Sequence, residues 1–328
     1  MRIARLLLAA MVLFAVGVFI ANTNMLAPDM DGSPTLLAHR GVAQTYPYDG
    51  LDSETCTATR IRAPEHDLLE NTIPSMRAAF AAGADVVELD IHPTTDGAFA
   101  VFHDWTLDCR TDGHGVTREK TLADLKRLDI GYGYTADGGK TFPFRGLGAG
   151  LMPSLDEVLA AFPGKRLLIN VKSRDAEEGR RLAARLAKLA PEARALLSVY
   201  GDDEPIDVLR AALPDVRTMG RRSLRRCVLS YLAVGWSGYV PDDCRHTMLL
   251  VPSNYAWALW GWPGRFMQRM QKVGSEVYLL GPYEPGRPFT TGIDTAVDVA
   301  QLPTGYAGGI WTNRIQVIAP LVAGRAAR

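Results

Sequence analysis

The chain has 328 residues, 47% of them apolar and 22% charged, with 36 Lys and Arg against 36 Asp and Glu. That composition excludes a disordered or fibrous chain, and the balanced charge gives no basis for nucleic acid as a partner. The length suits one large domain or two small ones, with no internal repeat to suggest a solenoid.

Met1 to Ala21 reads as a targeting segment. Arg2 and Arg5 precede the uncharged apolar run Leu6 to Ala21, which Asn22 to Pro28 extends. Residues 1–27 are therefore a cleaved signal peptide or an uncleaved membrane anchor. No A-x-A cleavage site stands out, which favours the anchor. The arginines should stay inside, placing the rest of the chain, periplasmic or extracellular, beyond the membrane. Four cysteines, Cys56, Cys109, Cys227 and Cys244, fit disulfides in an exported chain, and none has zinc-ligand spacing.

Residues 34–325 form the expected folded domain, after a linker from Pro28 to Pro34. Thr35 to Gly41 is a short strand ending in the turn His39-Arg40-Gly41. A polar loop from Val42 to Leu69 carries Cys56. Glu70-Asn71-Thr72 then opens an amphipathic helix, Ile73 to Ala82, capped by Asn71 or Thr72 and ended by Gly83. The next strand, Asp85 to His92, has two unlike faces. Val87, Leu89 and Ile91 fall on one side; Glu88, Asp90 and His92 fall on the other. Its aliphatic content predicts burial. Two buried carboxylates this close repel unless something positive sits between them, and a divalent cation with oxygen ligands meets that need. Lys or Arg from elsewhere is the structural alternative. Asp96-Gly97 is a turn, and a second strand, Ala98 to Phe102, delivers His103 and Asp104.

The alternation continues with helices at Leu151 to Phe162, Ala176 to Leu189 and Pro205 to Leu213. Strands are expected at Arg166 to Lys172, Leu196 to Tyr200, Val216 to Met219, Met248 to Val251, Glu276 to Leu280 and Gly308 to Thr312. That makes nine strands, one more than a closed eight-stranded barrel needs, and the pattern does not say which is surplus. Alternating strands and helices over this length predict an α/β fold, a (β/α)8 barrel. In such a barrel His39, Arg40, Glu88, Asp90, His103, Asn170 and Lys172 all meet at the C-terminal mouth, where these folds place their chemistry.

The set His39-Arg40-Gly41, Glu70-Asn71-Thr72, Glu88-x-Asp90, Thr95-Asp96-Gly97 and His103-Asp104 resembles the glycerophosphodiester phosphodiesterase family. The likeness is strong from about Leu36 to Lys172 and weak beyond, where Gly309-Ile-Trp-Thr-Asn313 is similar to the family's closing strand. The resemblance implies a TIM barrel of the phospholipase C-like phosphodiesterase type, a metal-dependent hydrolase of glycerophosphodiesters or lysophospholipids. It implies His39 and His103 as acid and base, and Arg40 and Lys172 as catalytic and substrate-binding groups on the phosphate. Glu88 and Asp90 would be ligands of Ca2+ or Mg2+, with Glu70 in support. The chemistry of the residues agrees: diester displacement needs one proton taken and one given, which two histidines do near neutral pH. Three features depart from the family. Asn170-Val-Lys172 stands where it has Glu-x-Lys, so Asn170 would offer an amide oxygen in place of a third carboxylate. Tyr278-Leu-Leu-Gly281 occupies the place of the family's Trp-Thr-Val-Asn strand. The first loop is also long.

In a barrel the loops carrying Cys56 and Cys109 both lie at the mouth, which predicts a Cys56–Cys109 bridge and, second, Cys227–Cys244. His92 is a further ligand or a rim histidine, and His66 and His114 are solvated loop residues. The cluster Tyr255, Trp257, Trp260, Trp262 and Phe266, followed by Arg265, Arg269 and Lys272, either touches lipid headgroups or packs on the barrel. Two other readings stay open: a lyase on the same scaffold releasing a cyclic phosphate, and a catalytically impaired binding protein. The partners expected are a small or lipid-derived phosphodiester and, through the N-terminal segment, a membrane.

Overall fold

The computed structural model describes residues 2–27, 32–52, 55–286 and 291–326. Met1, residues 28–31 of the expected linker and residues 53–54 of the first loop lie outside the described residues. All nine expected strands form: β1 Thr35–Ala38, β2 Val86–Pro93, β3 Phe99–Val101, β4 Arg166–Val171, β5 Leu197–Gly201, β6 Arg217–Gly220, β7 Met248–Pro252, β8 Glu276–Leu280 and β9 Gly309–Thr312.

Eight of them pair in parallel in the order β6-β5-β4-β2-β1-β9-β8-β7. The seam between β6 and β7 is closed by one parallel bridge, Thr218 to Thr247, and by the Thr247 hydroxyl donating to the Thr218 carbonyl at 2.7 Å. The surplus strand is β3, which turns back antiparallel on β2 in a hairpin, Ile91 facing Val101. The ring is a (β/α)8 barrel wound in chain order.

The alternation on β2 sorts its side chains as the sequence pattern demands. Val87, Leu89 and Ile91 point outwards into the core shared with the helices, while Glu88 and Asp90 are completely buried inside the barrel. Helices Ile73–Ala81, Leu155–Ala161, Ala176–Leu186, Asp203–Ala212, Gly264–Lys272 and Ile315–Ala326 carry the apolar faces of that outer core. The second starts four residues later than its apolar pattern suggests, because Ser154 and Glu157 form a capping box that fixes its first turn. The barrel's lower interior is filled by Leu37, Val86, Leu168, Met219, Met248 and Tyr278. At the floor, Arg166 and Arg217 reach the two carboxylate oxygens of Glu276 at 2.6 and 2.9 Å, so charge entering the barrel there is paired.

The long loops at the mouth build a core of their own. Ile61, Leu69, Phe102, Leu107, Tyr134 and Phe144 are buried together. Cys56 and Cys109, at its edge, form a disulfide with Cα atoms 5.5 Å apart; Cys227 and Cys244 form the second.

Candidate active site

The turn after β1 is held in an uncommon shape. Arg40 has φ 59° and Gly41 φ 80°, and a Cβ on Gly41 would lie 2.3 Å from the Ser75 hydroxyl. Only glycine fits there, because the Ser75 hydroxyl donates to the Val42 carbonyl at 2.8 Å and locks the turn to the helix that follows Asn71. Asn71 also has φ 59°. Its side chain grips β2 twice: Nδ2 donates to Asp90 Oδ2 at 2.9 Å, and Oδ1 accepts from the Asp90 amide at 3.0 Å. Two non-glycine residues in the left-handed region, side by side at a barrel mouth, are strain held in place by these bonds.

Asp90 is surrounded by donors. Besides Asn71, Asn170 Nδ2 donates to Oδ1 at 2.8 Å, Lys172 Nζ is 3.6 Å from the same oxygen, and Arg40 Nε lies 3.2 Å from Oδ2 without the alignment of a hydrogen bond. Burial opposes ionisation, but Lys172 and Arg40 outweigh it and hold the carboxyl well below its usual range. Glu88 differs. It accepts from the Tyr200 hydroxyl at 2.8 Å and the Arg40 backbone amide at 3.1 Å, with no cationic side chain in contact. Burial, then the charge on Asp90, pushes its pKa up. Glu70 belongs to a separate layer. Its Oε1 accepts from Arg40 Nη1 at 2.9 Å and lies 3.6 Å from Arg110 Nη2; against the opposing effect of burial, Arg110 and Arg40 keep it ionised.

The two histidines are backed differently. His39 Nδ1 meets Asn313 Oδ1 at 2.6 Å. Asn313 Nδ2 donates to Asp294 Oδ2 at 2.8 Å, which orients the amide oxygen towards the ring. Nδ1 must then carry the proton, leaving Nε2 as a lone pair directed towards Glu88 Oε2, 3.8 Å away. Burial, then Arg40, lowers the His39 pKa to about 3, so this close approach is not an ion pair. His103 Nδ1 meets Asp104 Oδ1 at 2.7 Å, and Asp104 Oδ2 lies 3.0 Å from Arg110 Nε. Burial, then Arg40 and Lys172, lowers the His103 pKa, while Asp90 and Asp104 act to raise it.

The structure thus brings His39, Arg40, Glu70, Glu88, Asp90, His103, Asn170 and Lys172 into one connected cluster. His92 lies beneath it, its Nε2 3.3 Å from the His103 carbonyl and its Nδ1 without a partner. His66 is held by Gln44, and His114 is exposed beside Asp108. Tyr200, Asn313, Asp294, Asp104 and Arg110 complete the site, and their roles had no signature in the sequence. A cavity of about 340 Å³ opens beside the cluster, lined by His39, Arg40, Glu70, Tyr46, Tyr48 and Arg62 among others.

Among the described residues no group of three or more His, Cys, Asp or Glu is spaced to hold a metal ion. Glu88 and Asp90 are nevertheless paired buried oxygen donors, and Glu88 lacks the cationic neighbour its burial calls for. These two residues fit a divalent cation. Asn170 turns its nitrogen to Asp90 and would need to rotate to present its oxygen.

Comparison with known proteins gives a consistent result. The sequence profile of the glycerophosphoryl diester phosphodiesterase family matches residues 39–204. The glycerophosphodiester phosphodiesterase of Caldanaerobacter subterraneus subsp. tengcongensis is 34% identical over 111 residues, covering 34% of this chain and 42% of the relative. That of Bacillus subtilis (strain 168) is 41% identical over 114 residues, covering 34% of this chain and 38% of the relative. The chain thus matches less than half the length of these curated relatives. Two solved structures share the fold. The glycerophosphoryl diester phosphodiesterase domain of an uncharacterized Mycobacterium tuberculosis protein has TM-score 0.58 at 17% identity, covering 90% of this chain and all of that one. An Oleispira antarctica phosphodiesterase in complex with the product sn-glycerol-3-phosphate has TM-score 0.53 at 17% identity, covering 90% of this chain and 98% of that one. On the extent of the profile match, the chain belongs to the glycerophosphoryl diester phosphodiesterase family.

Proposed function

We propose that this chain hydrolyses glycerophosphodiesters, lysophospholipids included, to an alcohol and a glycerol phosphate, with residues 34–325 as the catalytic barrel and residues 1–27 as a membrane segment. The observation that carries the reading is the unequal backing of two histidines around one buried cluster of Arg40, Lys172 and carboxylates. His39, neutral with its Nε2 lone pair free, takes the proton of the attacking hydroxyl. His103, whose proton Asp104 stabilises, gives one to the leaving oxygen. Arg40 and Lys172 supply positive charge to the phosphate as its negative charge grows. The attacking group is the glycerol hydroxyl next to the phosphate, so the first product is a cyclic phosphate, which water opens with the two histidines exchanging roles.

A divalent cation, Ca2+ or Mg2+, would be held by Glu88 and Asp90, with Asn170 offering a carboxamide oxygen. When bound it supplies Lewis-acid stabilisation of the phosphoryl oxygens. Without it, Arg40, Lys172, Asn71 and Asn170 already balance Asp90. Glu88 alone retains a buried charge in need of a partner.

The test is phosphorus NMR of glycerophosphocholine, glycerophosphoethanolamine and lysophosphatidylcholine turnover, with calcium, magnesium or chelator. Glycerol phosphate or its acylated counterpart as the end product supports the hydrolase. A cyclic phosphate that persists identifies the lyase instead. Normal turnover of a substrate lacking the neighbouring hydroxyl rules out internal attack. No turnover of any diester leaves a binding protein.

A further inference from the structure

The N-terminal helix Arg2–Asn22 has mean hydropathy 2.6 over its most apolar window, and none of that window is buried in the protein. At about 1.5 Å per residue its 21 residues measure about 31 Å, the thickness of a bilayer's hydrocarbon core. Its far end is not a loose tether. Arg269 Nη2 donates to the Ala21 carbonyl at 2.7 Å, and its Nη1 donates to Asn22 Oδ1 at 3.0 Å. Asn22 Nδ2 donates to the Trp236 carbonyl at 2.7 Å. Asn24 acts as an external cap for the barrel helix Gly264–Lys272: its Oδ1 accepts from the Gly264 and Arg265 amides at 3.0 and 3.1 Å. That helix has no capping side chain at its own N-cap position, Pro263. Removing the segment would therefore leave a barrel helix uncapped.

The contact also starts too early for a plain tether. Phe14 packs edge-on against Trp236 with ring centroids 5.2 Å apart. Phe14, Val18, Phe19, Thr23 and Trp260 line an open cavity of about 560 Å³ between the helix and the barrel. Only the part from Arg2 to Phe14, about 18 Å at the helical rise, extends free of the barrel. That is too short to cross a core of about 30 Å. A helix that spans while keeping these contacts must draw the barrel's Trp236 and Trp260 face into the membrane–water interface with it.

The barrel surface beside the joint has the composition such a position requires. Trp260 is 37% exposed, Tyr239 54% and Leu229 55%. On the helix Arg221–Val234, Arg225, Leu229 and Leu232 recur at i, i+4 and i+7, and Trp236 follows in the next turn. Arg225 and Arg226 are exposed, and among the described residues neither has an acidic partner. Aromatic rings at headgroup depth with unpaired arginines beyond them complement a surface of anionic lipid. Tyr255 and Trp257, 50% and 76% exposed, lie on the loop that joins the C-terminal end of β7 to Trp260. The apolar face therefore runs from the joint to the catalytic mouth.

We infer that the helix Arg2–Asn22 is retained as an anchor built into the barrel, and that the barrel is seated in an anionic bilayer interface through Leu229, Trp236, Tyr239 and Trp260 with Arg225 and Arg226. This seating does not depend on the catalytic reading. It is tested on the full chain, expressed with its own N-terminus, purified from membranes and reconstituted in phosphatidylcholine or phosphatidylcholine–phosphatidylglycerol vesicles. Intact mass should show the helix present; a mature protein beginning after Ala27 overturns the inference. Lipids brominated near the headgroup should quench part of the tryptophan fluorescence. Trp236→Phe/Trp260→Phe should lose most of that quenching, and Trp105→Phe should keep it, with far-UV circular dichroism melts confirming the fold of each. Equal quenching in all three folded proteins overturns the seating and leaves a tethered barrel. Absence of quenching in the parent protein, which needs no substitution, does the same and points to a second protein copy on this face. Arg225→Glu/Arg226→Glu should abolish the extra quenching on anionic over neutral vesicles. If that extra quenching survives, the arginines are not the contact.

Discussion

His39 and His103 are the same residue type in the same buried cluster, yet the protein prepares them for opposite tasks. Behind His39 stands an amide, Asn313, whose orientation is fixed by Asp294; behind His103 stands a carboxylate, Asp104, held by Arg110. An amide fixes a tautomer without stabilising a charge. A carboxylate does both. Both rings lose basicity through burial, but only His103 recovers part of it from its own backing partner's charge. The polarity of an acid–base pair is thus set one residue behind the reacting groups.

The most severe way to break the comparison is to delete the rings. On the proposed mechanism His39→Ala and His103→Ala should each lower kcat by roughly 10²–10⁴-fold, and the double variant should lose less than the product of the two because they serve one step. Steady-state kinetics on glycerophosphocholine checks this. Full activity in both single variants would remove the assignment.

Next comes the carboxylate. Asp104→Asn keeps a hydrogen-bond acceptor but removes the charge. A hydrogen bond to a charged group contributes roughly 1.5–3 kcal/mol, so the rate should fall about 10–100-fold. The sign of the pH effect follows from the cause. Asp104 raises the His103 pKa, so without it His103 loses its proton at lower pH. The alkaline limb of kcat/KM should therefore move to lower pH. Lys172 acts in the other direction on the same ring, so Lys172→Met should move that limb up, whatever it costs in rate. Limbs that stay put in both variants would assign the acid elsewhere.

Asn313→Ala is milder. It removes a neutral hydrogen bond of roughly 0.5–1.5 kcal/mol, predicting a loss of about 2–10-fold in kcat. The alkaline limb should not shift, since Asn313 does not face His103. A shift equal to that of Asp104→Asn would erase the difference between the two backing groups.

How far these features were legible in the sequence depends on their range. The two faces of β2 follow from a period of two, and the strand count from apolar runs bounded by turns. The surplus strand could not be identified, because a short buried strand looks the same in a barrel wall and in a hairpin; only its antiparallel return on β2 marks β3 as the extra. The helix Arg221–Val234 escaped notice because its arginines conceal a modest apolar face. Inside the site, local motifs exposed His39, Arg40, Glu88, Asp90 and His103. Asn313 and Asp294 were invisible as partners of His39, which lies 274 residues from Asn313. Their meeting is a property of barrel closure, where β9 pairs with β1 and aligns Thr312 with Ala38. Tyr200, which donates to Glu88 from β5, was hidden for the same reason.

The gentlest probe of the comparison is the disulfide at the mouth. Cys56–Cys109 closes a loop of 53 residues, and its loss should cost about 2–4 kcal/mol of stability, read as a lower melting temperature of Cys56→Ala/Cys109→Ala. Its catalytic effect should be small and one-sided. Arg110 follows Cys109 directly, Thr57 follows Cys56, and Arg110 Nη2 donates to Thr57 Oγ1 at 2.8 Å. The bridge therefore holds the arginine that holds Asp104 behind His103. His39 takes its orientation from Asn313 and Asp294 on the opposite strands, with no bond to this loop. Loosening the bridge lets Arg110 drift from Asp104, whose carboxyl Arg110 keeps ionised against the effect of burial. A carboxylate freed of that arginine stabilises the His103 proton more strongly, because less of its charge is already neutralised. The alkaline limb of kcat/KM should then move slightly to higher pH, opposite in sign to Asp104→Asn, while the acid limb set by His39 stays in place. Equal movement of both limbs would mean that the two histidines share one support after all.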